Sequence, residues 1–178
     1  MRHSRGIRDG CLGPMRAYCD WQKTPLADPR RATVPQLIHG MSLIIEAEGP
    51  IVASRVFGLF ARAGDLGRIT AATQKRFDLA LEKAQEDEVI LASSEHDPEN
   101  PVLRLPDQPS VDIRTLGSRS LHEVPIDEIA ENMLEILVRD DLISREEIFR
   151  EILGQYGLIR LTTASRKRLE TALALVTK

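Results

Sequence analysis

Between Val34 and Glu86 the apolar residues recur at three- and four-residue spacings, in three successive blocks. Leu37, Ile38, Met41, Ile44 and Ile45 mark one face of a first helix, opened by Val34-Pro35 and closed by Gly49-Pro50. Ile51-Val52 can form a very short extended piece. Val56, Phe57, Phe60 and Ala61 then mark a second helix. Gly64, Asp65 and Gly67 make a turn. A third helix is expected from near Thr70 to about Glu86, burying Ile69, Thr73, Phe77, Ala80, Leu81 and Ala84. The period then changes. Val89-Ile90-Leu91-Ala92 and Pro101-Val102-Leu103-Arg104-Leu105, around a turn-rich stretch at 93–100, read as a β-hairpin. Three helices, an extended piece after the first and a hairpin after the third is the order of a winged helix, with the hairpin as wing.

The same pattern returns after a constant offset of 92, without a gap, when residues 34–86 are laid on 126–178. Met41/Met133, Ile44/Ile136, Ile51/Ile143 and Phe57/Phe149 are identical pairs. So are Arg68/Arg160, Thr70/Thr162, Ala72/Ala164, Lys75/Lys167, Arg76/Arg168, Ala80/Ala172 and Leu81/Leu173. Repeats of this kind set the architecture. The chain is therefore expected to be mainly α with a small β-hairpin, built as tandem winged-helix-like (helix-turn-helix) units. The divisions are an irregular leader at 1–33, a first unit with its wing at 34–106, a connector at 107–123, and a second unit without a wing at 124–178. In the second unit Ser144 and Glu147 form a capping box, and Leu142-Ile143 repeat the short extended piece.

Composition narrows the classes. With 178 residues, 42% hydrophobic and 29% charged, the chain is an ordinary globular one, large enough for two small units that lean on each other. No run approaches the ~20 apolar residues of a membrane helix. The N-terminus lacks the apolar core of a secretory signal, so a cytoplasmic location and no membrane partner are expected. Cys11 and Cys19, eight apart, fit no zinc pattern. Net charge is −3, unevenly spread: 1–33 hold seven Lys/Arg against three Asp/Glu, and the rest holds 17 against 24. Gly6, Gly10, Gly13, Pro14, Pro25 and Pro29 interrupt every candidate helix in that leader, which is expected to be a disordered arm or a torn edge.

The sharpest candidate chemistry is the repeated cassette Arg68–Arg76 and Arg160–Arg168. In a helix-turn-helix protein the third helix enters the major groove, its first residues at the base edges. Hydroxyls and amides at that start hold phosphate, and Lys or Arg one turn in reach phosphate or guanine. The candidate contacts are Arg68, Thr70, Thr73 and Lys75, with Arg160, Thr162, Thr163, Arg166 and Lys167 in the second copy. A structural role explains the same residues: threonine at a helix start is a cap, and Arg68, Arg160, Arg76 and Arg168 can fasten the turn or the helix edge. Asp78, Glu82, Glu86 and Glu170 on the same helices repel phosphate. His96, Asp97 and Glu99 read as a solvated turn. No catalytic set, metal or cofactor is expected.

Glu-Gly-Pro-Ile at 48–51, Gly67-Arg68, Val111-Asp112-Ile113-Arg114 and Val124-Pro125-Ile126-Asp127-Glu128-Ile129-Ala130 give the doubled pattern a family resemblance. Over residues 34–178 it resembles an uncharacterised bacterial domain near the C-terminus of very large superfamily I DNA/RNA helicase-like proteins. That domain often stands beside a very-short-patch-repair-type endonuclease domain. The resemblance implies an accessory nucleic-acid-handling module and supplies no catalytic residue. The expected function is non-catalytic binding of duplex DNA through the third helices and the wing. The alternative is a docking or dimerisation module, with a protein partner or a second copy.

Overall fold

The computed structural model describes residues 15–177. It is mainly helical with one small antiparallel sheet. The elements are α1 (Val34–Glu48), β1 (Ile51–Val52), α2 (Ala53–Ala63), α3 (Ala71–Glu86), β2 (Leu91–Ser93), β3 (Val102–Arg104), a 3-10 turn (Leu121–Glu123), α4 (Ile126–Arg139), α5 (Arg145–Gln155) and α6 (Thr163–Val176). Under the offset of 92, α2 and α5 share both bounds, and α1 and α3 share their first residue with α4 and α6.

Local chemistry sets the helix ends. Thr33 and Gln36 cap α1 reciprocally, and Ser144 and Glu147 do the same for α5. Thr70 and Thr162 cap α3 and α6. The end of α3 departs from the expected strand at Val89-Ile90. Glu88 turns left-handed (φ 55°), and the amides of Val89 and Ile90 both donate to Ala84 O at 2.9 and 3.2 Å. These residues close the helix, and β2 begins only at Leu91.

Two apolar cores result. In the first, Leu37, Met41, Ile44, Val56, Phe60, Phe77 and Ala80 are buried with Leu103 of the sheet. Phe77 stacks on Phe57 (4.7 Å) and meets Phe60 edge-on (5.3 Å). The second gathers Ile129, Met133, Ile136, Ile148, Phe149, Ile152, Leu169 and Ala172. Strand order is β1-β3-β2, with Ile51 opposite Leu103 and Ala92 opposite Leu103 on the other edge. The β2–β3 hairpin therefore covers β1 through β3.

Two expectations change here. Leu142-Ile143 do not form a strand: Asp141 and Leu142 make a turn, and among the described residues no wing strand stands beside them. Residues 15–33 are irregular but packed. Tyr18 and Ala32 are buried, Trp21 and Leu26 lie on the first core, Met15 lies on the second, and Arg16 bridges to Arg114. Cys11 and residues 1–14 lie outside the described residues; Cys19 is an exposed thiol.

Candidate functional site

The hydroxyls at the starts of α3 and α6 are already engaged. Thr70 Oγ1 accepts from Thr73 N (3.3 Å) and Thr162 Oγ1 from Ser165 N (3.1 Å). Thr73 is 2% exposed, its own hydroxyl against that of Thr70. Thr163 is exposed in the first turn of α6.

The cations divide into two groups. Arg76 donates to Pro29 O (2.9 Å) and to Ala32 O, tying the leader to α3. Arg168 donates to Val124 O at 2.5 Å and stands 3.8 Å from Asp97; burial pulls its pKa down. Arg166 forms a two-pronged pair with Glu146 (2.8 and 3.1 Å), whose hydrogen bonds hold that carboxyl below its ordinary range. Arg68, Lys75, Arg160 and Lys167 are exposed and have no carboxylate in ion-pair range among the described residues. Among the described residues, Arg68 and Arg160 therefore fasten the turns to no carboxylate.

The loop between β2 and β3, expected to be solvated, is seated against the second half. His96 Nδ1 lies 2.6 Å from Asp127 Oδ1, beside the Asp97–Arg168 approach. A groove of about 800 Å³ separates the loop from α6, lined by His96, Asp97, Ser165, Lys167 and Arg168. On its other side a cleft of about 530 Å³ is lined by Ser54, Gln74, Asp78, Asp97 and Glu99. The loop thus stands between the N-terminal halves of α3 and α6. It carries Glu95, Asp97 and Glu99, and no Lys or Arg occurs from Ser93 to Leu103.

Sequence reasoning did not place the buried charges that join the halves. Glu48 accepts from Trp21 N (2.8 Å), Tyr18 OH (2.5 Å) and Arg55 Nε (2.6 Å). Arg114 donates to Glu48 O (2.9 Å), Gly49 O (3.2 Å) and Pro50 O (2.7 Å), and to Glu128 (3.2 Å). Arg119 holds both oxygens of Glu128 at 2.9 Å. The guanidinium carbons of Arg119, Arg114 and Arg55 lie 4.0, 4.9 and 5.7 Å from the centre of the Tyr18 ring. Burial, and next the bond to Glu48, push the Tyr18 hydroxyl pKa well up. Glu48, Gly49, Pro50, Arg114 and Glu128 all belong to the short motifs quoted above, so those motifs converge on one structural joint.

Among the described residues, no three His, Cys, Asp or Glu side chains are grouped to hold a metal ion. No described helix is long and apolar enough to cross a membrane. No family model matches the chain, and no curated protein or solved structure shows significant similarity to it.

Proposed function

We propose that this chain is a non-catalytic protein-docking module, made of two winged-helix-like units held in fixed relation by the buried charges around Tyr18. The observation that carries this reading is the seat of the acidic wing loop between the starts of α3 and α6. A duplex laid across both helices meets Asp97, Glu99 and Asp78 between them, and repulsion there opposes the phosphate neutralisation that drives such binding. The Arg166–Glu146 pair removes one further cation from the surface. Fluorescence anisotropy with a random duplex at low salt tests the reading. The expected result is no saturable binding. Saturable, salt-sensitive binding that Lys167→Glu weakens about tenfold would overturn it.

One observation favours a second reading, that of a duplex-binding accessory module in a helicase- or nuclease-type system. Arg68, Lys75, Arg160 and Lys167 stay exposed without a carboxylate partner among the described residues. The resemblance over 34–178 points the same way. On that reading each third helix binds separately and weakly.

A further inference from the structure

We propose that the C-terminal end of α4 docks an apolar segment of a partner protein bearing Lys or Arg. This inference rests on the docking reading and names the partner's chemistry. Leu134 and Val138 lie one turn apart on α4, 39% and 80% exposed, and Leu142 in the following turn is 89% exposed. The offset places Ser42, Glu46 and Pro50 at these positions in the first half. There Pro50 is buried, but Ser42 is half-buried and Glu46 exposed even with β3 paired to Ile51. The second half keeps Ile143 but has no strand to set against it among the described residues, and its neighbouring positions have turned apolar.

Two features select a cationic segment. The first is the helix end. In the first half Gln108 Nε2 donates to Ile45 O (2.9 Å) and Glu46 O (3.2 Å), the last carbonyls of α1. The equivalent carbonyls of Leu137 and Val138 receive no side-chain donor among the described residues. A helix C-terminus favours positive charge. The second is the surrounding charge. Glu131, Glu135, Asp140 and Asp141 have no Lys or Arg partner among the described residues, while Arg139 is taken by Glu151. Partial burial, and then Glu131, raise the pKa of Glu135. A second copy of this chain would bring the same acids against them, and a nucleic acid would bring phosphates. A basic strand meets the acids, the carbonyls and the apolar row together.

The test uses the full chain and two labelled peptides. One is Lys-Pro-Val-Leu-Arg-Leu-Pro-Lys, which copies the apolar alternation of β3; the other replaces its Lys and Arg by Glu. Saturable binding of the basic peptide is expected, about tenfold tighter than the acidic one. Val138→Ser and Leu142→Ser, both on the surface and neutral, should weaken it about tenfold with unchanged circular dichroism. Leu79→Ser, on the exposed side of α3, should leave it unchanged. Amide shifts should concentrate at 134–143. No saturation up to about 1 mM overturns the inference. So does binding indifferent to both variants, or self-association abolished by Leu142→Ser, which makes the occupant a second copy. If the basic peptide fails while the duplex still does not bind, only this inference falls. If a Lys167→Glu-sensitive duplex complex forms as well, the docking reading falls with it.

Discussion

Arg114 Nη2 stands 3.2 Å from Oε2 of Glu128, and neither side chain reaches solvent. The same guanidinium binds the main chain of Glu48, Gly49 and Pro50, so one connector side chain joins the end of α1 to the start of α4. Removing one partner of a buried pair strands the other's charge and costs about 3–5 kcal/mol. Arg114→Ala should lose that much in urea denaturation. The double variant Arg114→Met/Glu128→Met should lose less than the two single variants combined. Trp21, the only tryptophan, packs on the first core and reports that half alone. In Arg114→Ala its fluorescence transition should separate from the helix signal at 222 nm. Coincident transitions would show that the joint does not couple the halves.

Glycine positions divide by what surrounds them. A Cβ on Gly40 would stand 2.3 Å from Phe60 Cε2, where α1 and α2 cross. Gly117 combines φ +60° with a Cβ site 2.6 Å from the Tyr18 ring. Gly154 in α5 has nothing within 4 Å. Gly40→Ala should destabilise by about 1–3 kcal/mol through overpacking. Gly117→Ala should lose at least about 1 kcal/mol, since strain and crowding act together. Gly154→Ala should gain up to about 1 kcal/mol from helix propensity. Thermal denaturation of the three variants checks the order, and a stabilised Gly117→Ala would refute the role given to that turn.

The helices were legible because their signals are local. Thr70 and Ser144 cap where their spacing to Thr73 and Glu147 places them, and the stripes through Met41, Phe57 and Phe77 are the buried faces. The misreadings share one cause, partners distant in sequence. Nothing near Arg114 says that Pro50 O awaits it. Nothing near Gln108 points to Ile45. The wing loop reads as solvated because Asp127 and Arg168 lie about 30 and 70 residues away along the chain. Tyr18 and Trp21 looked irregular because Glu48, which orders them, leaves no period in the leader. The candidate residues lie at the starts of α3 and α6, where their spacing places them, but whether a cation is spent on a neighbour, as Arg166 on Glu146, or left exposed, as Lys167, depends on packing between helices.

Acid should unfold the chain in a definite window. Glu146 is held below its ordinary pKa first by hydrogen bonds from Arg166, and Glu123 is lowered too, where burial is outweighed by bonds from Ser120 and then by Arg55. A lowered folded-state pKa adds stability that is complete above the unfolded value, near 4.5, and is lost as pH falls through the folded one. Melting temperature should therefore drop below about pH 4.5, and less steeply in Glu123→Gln. Glu135 has the opposite sign: burial and Glu131 raise its pKa, so its charge opposes folding at neutral pH. Glu135→Gln should melt higher than the parent at pH 7, with the difference vanishing at about pH 4. A gain that persists in acid would mean that the carboxylate is not the cause.

The loop between β2 and β3 offers the most direct test of whether its acidic charge keeps the exposed cations from serving as a nucleic-acid surface. Asp97 and Glu99 place two negative charges between Gln74 on α3 and Lys167 on α6, and Glu95 adds a third on the same loop. Glu95 and Glu99 are exposed, and Asp97 approaches Arg168 only at 3.8 Å. Replacing Glu95 and Glu99 should therefore cost little stability, whereas Asp97→Lys removes the carboxylate facing the largely buried Arg168 and costs more. The triple variant Glu95→Lys/Asp97→Lys/Glu99→Lys changes the loop by six charges and joins Lys75 and Lys167 to one basic surface. If the acidic loop is what repels phosphate, this variant should bind a random duplex at low salt about tenfold or more tightly than the parent. The gain should fade steeply as salt rises, because each neutralised phosphate releases counterions. Circular dichroism would verify that the helices persist. A folded variant that bound no better than the parent would show that repulsion by the loop is not the obstacle, and that the starts of α3 and α6 do not present a face a duplex can follow.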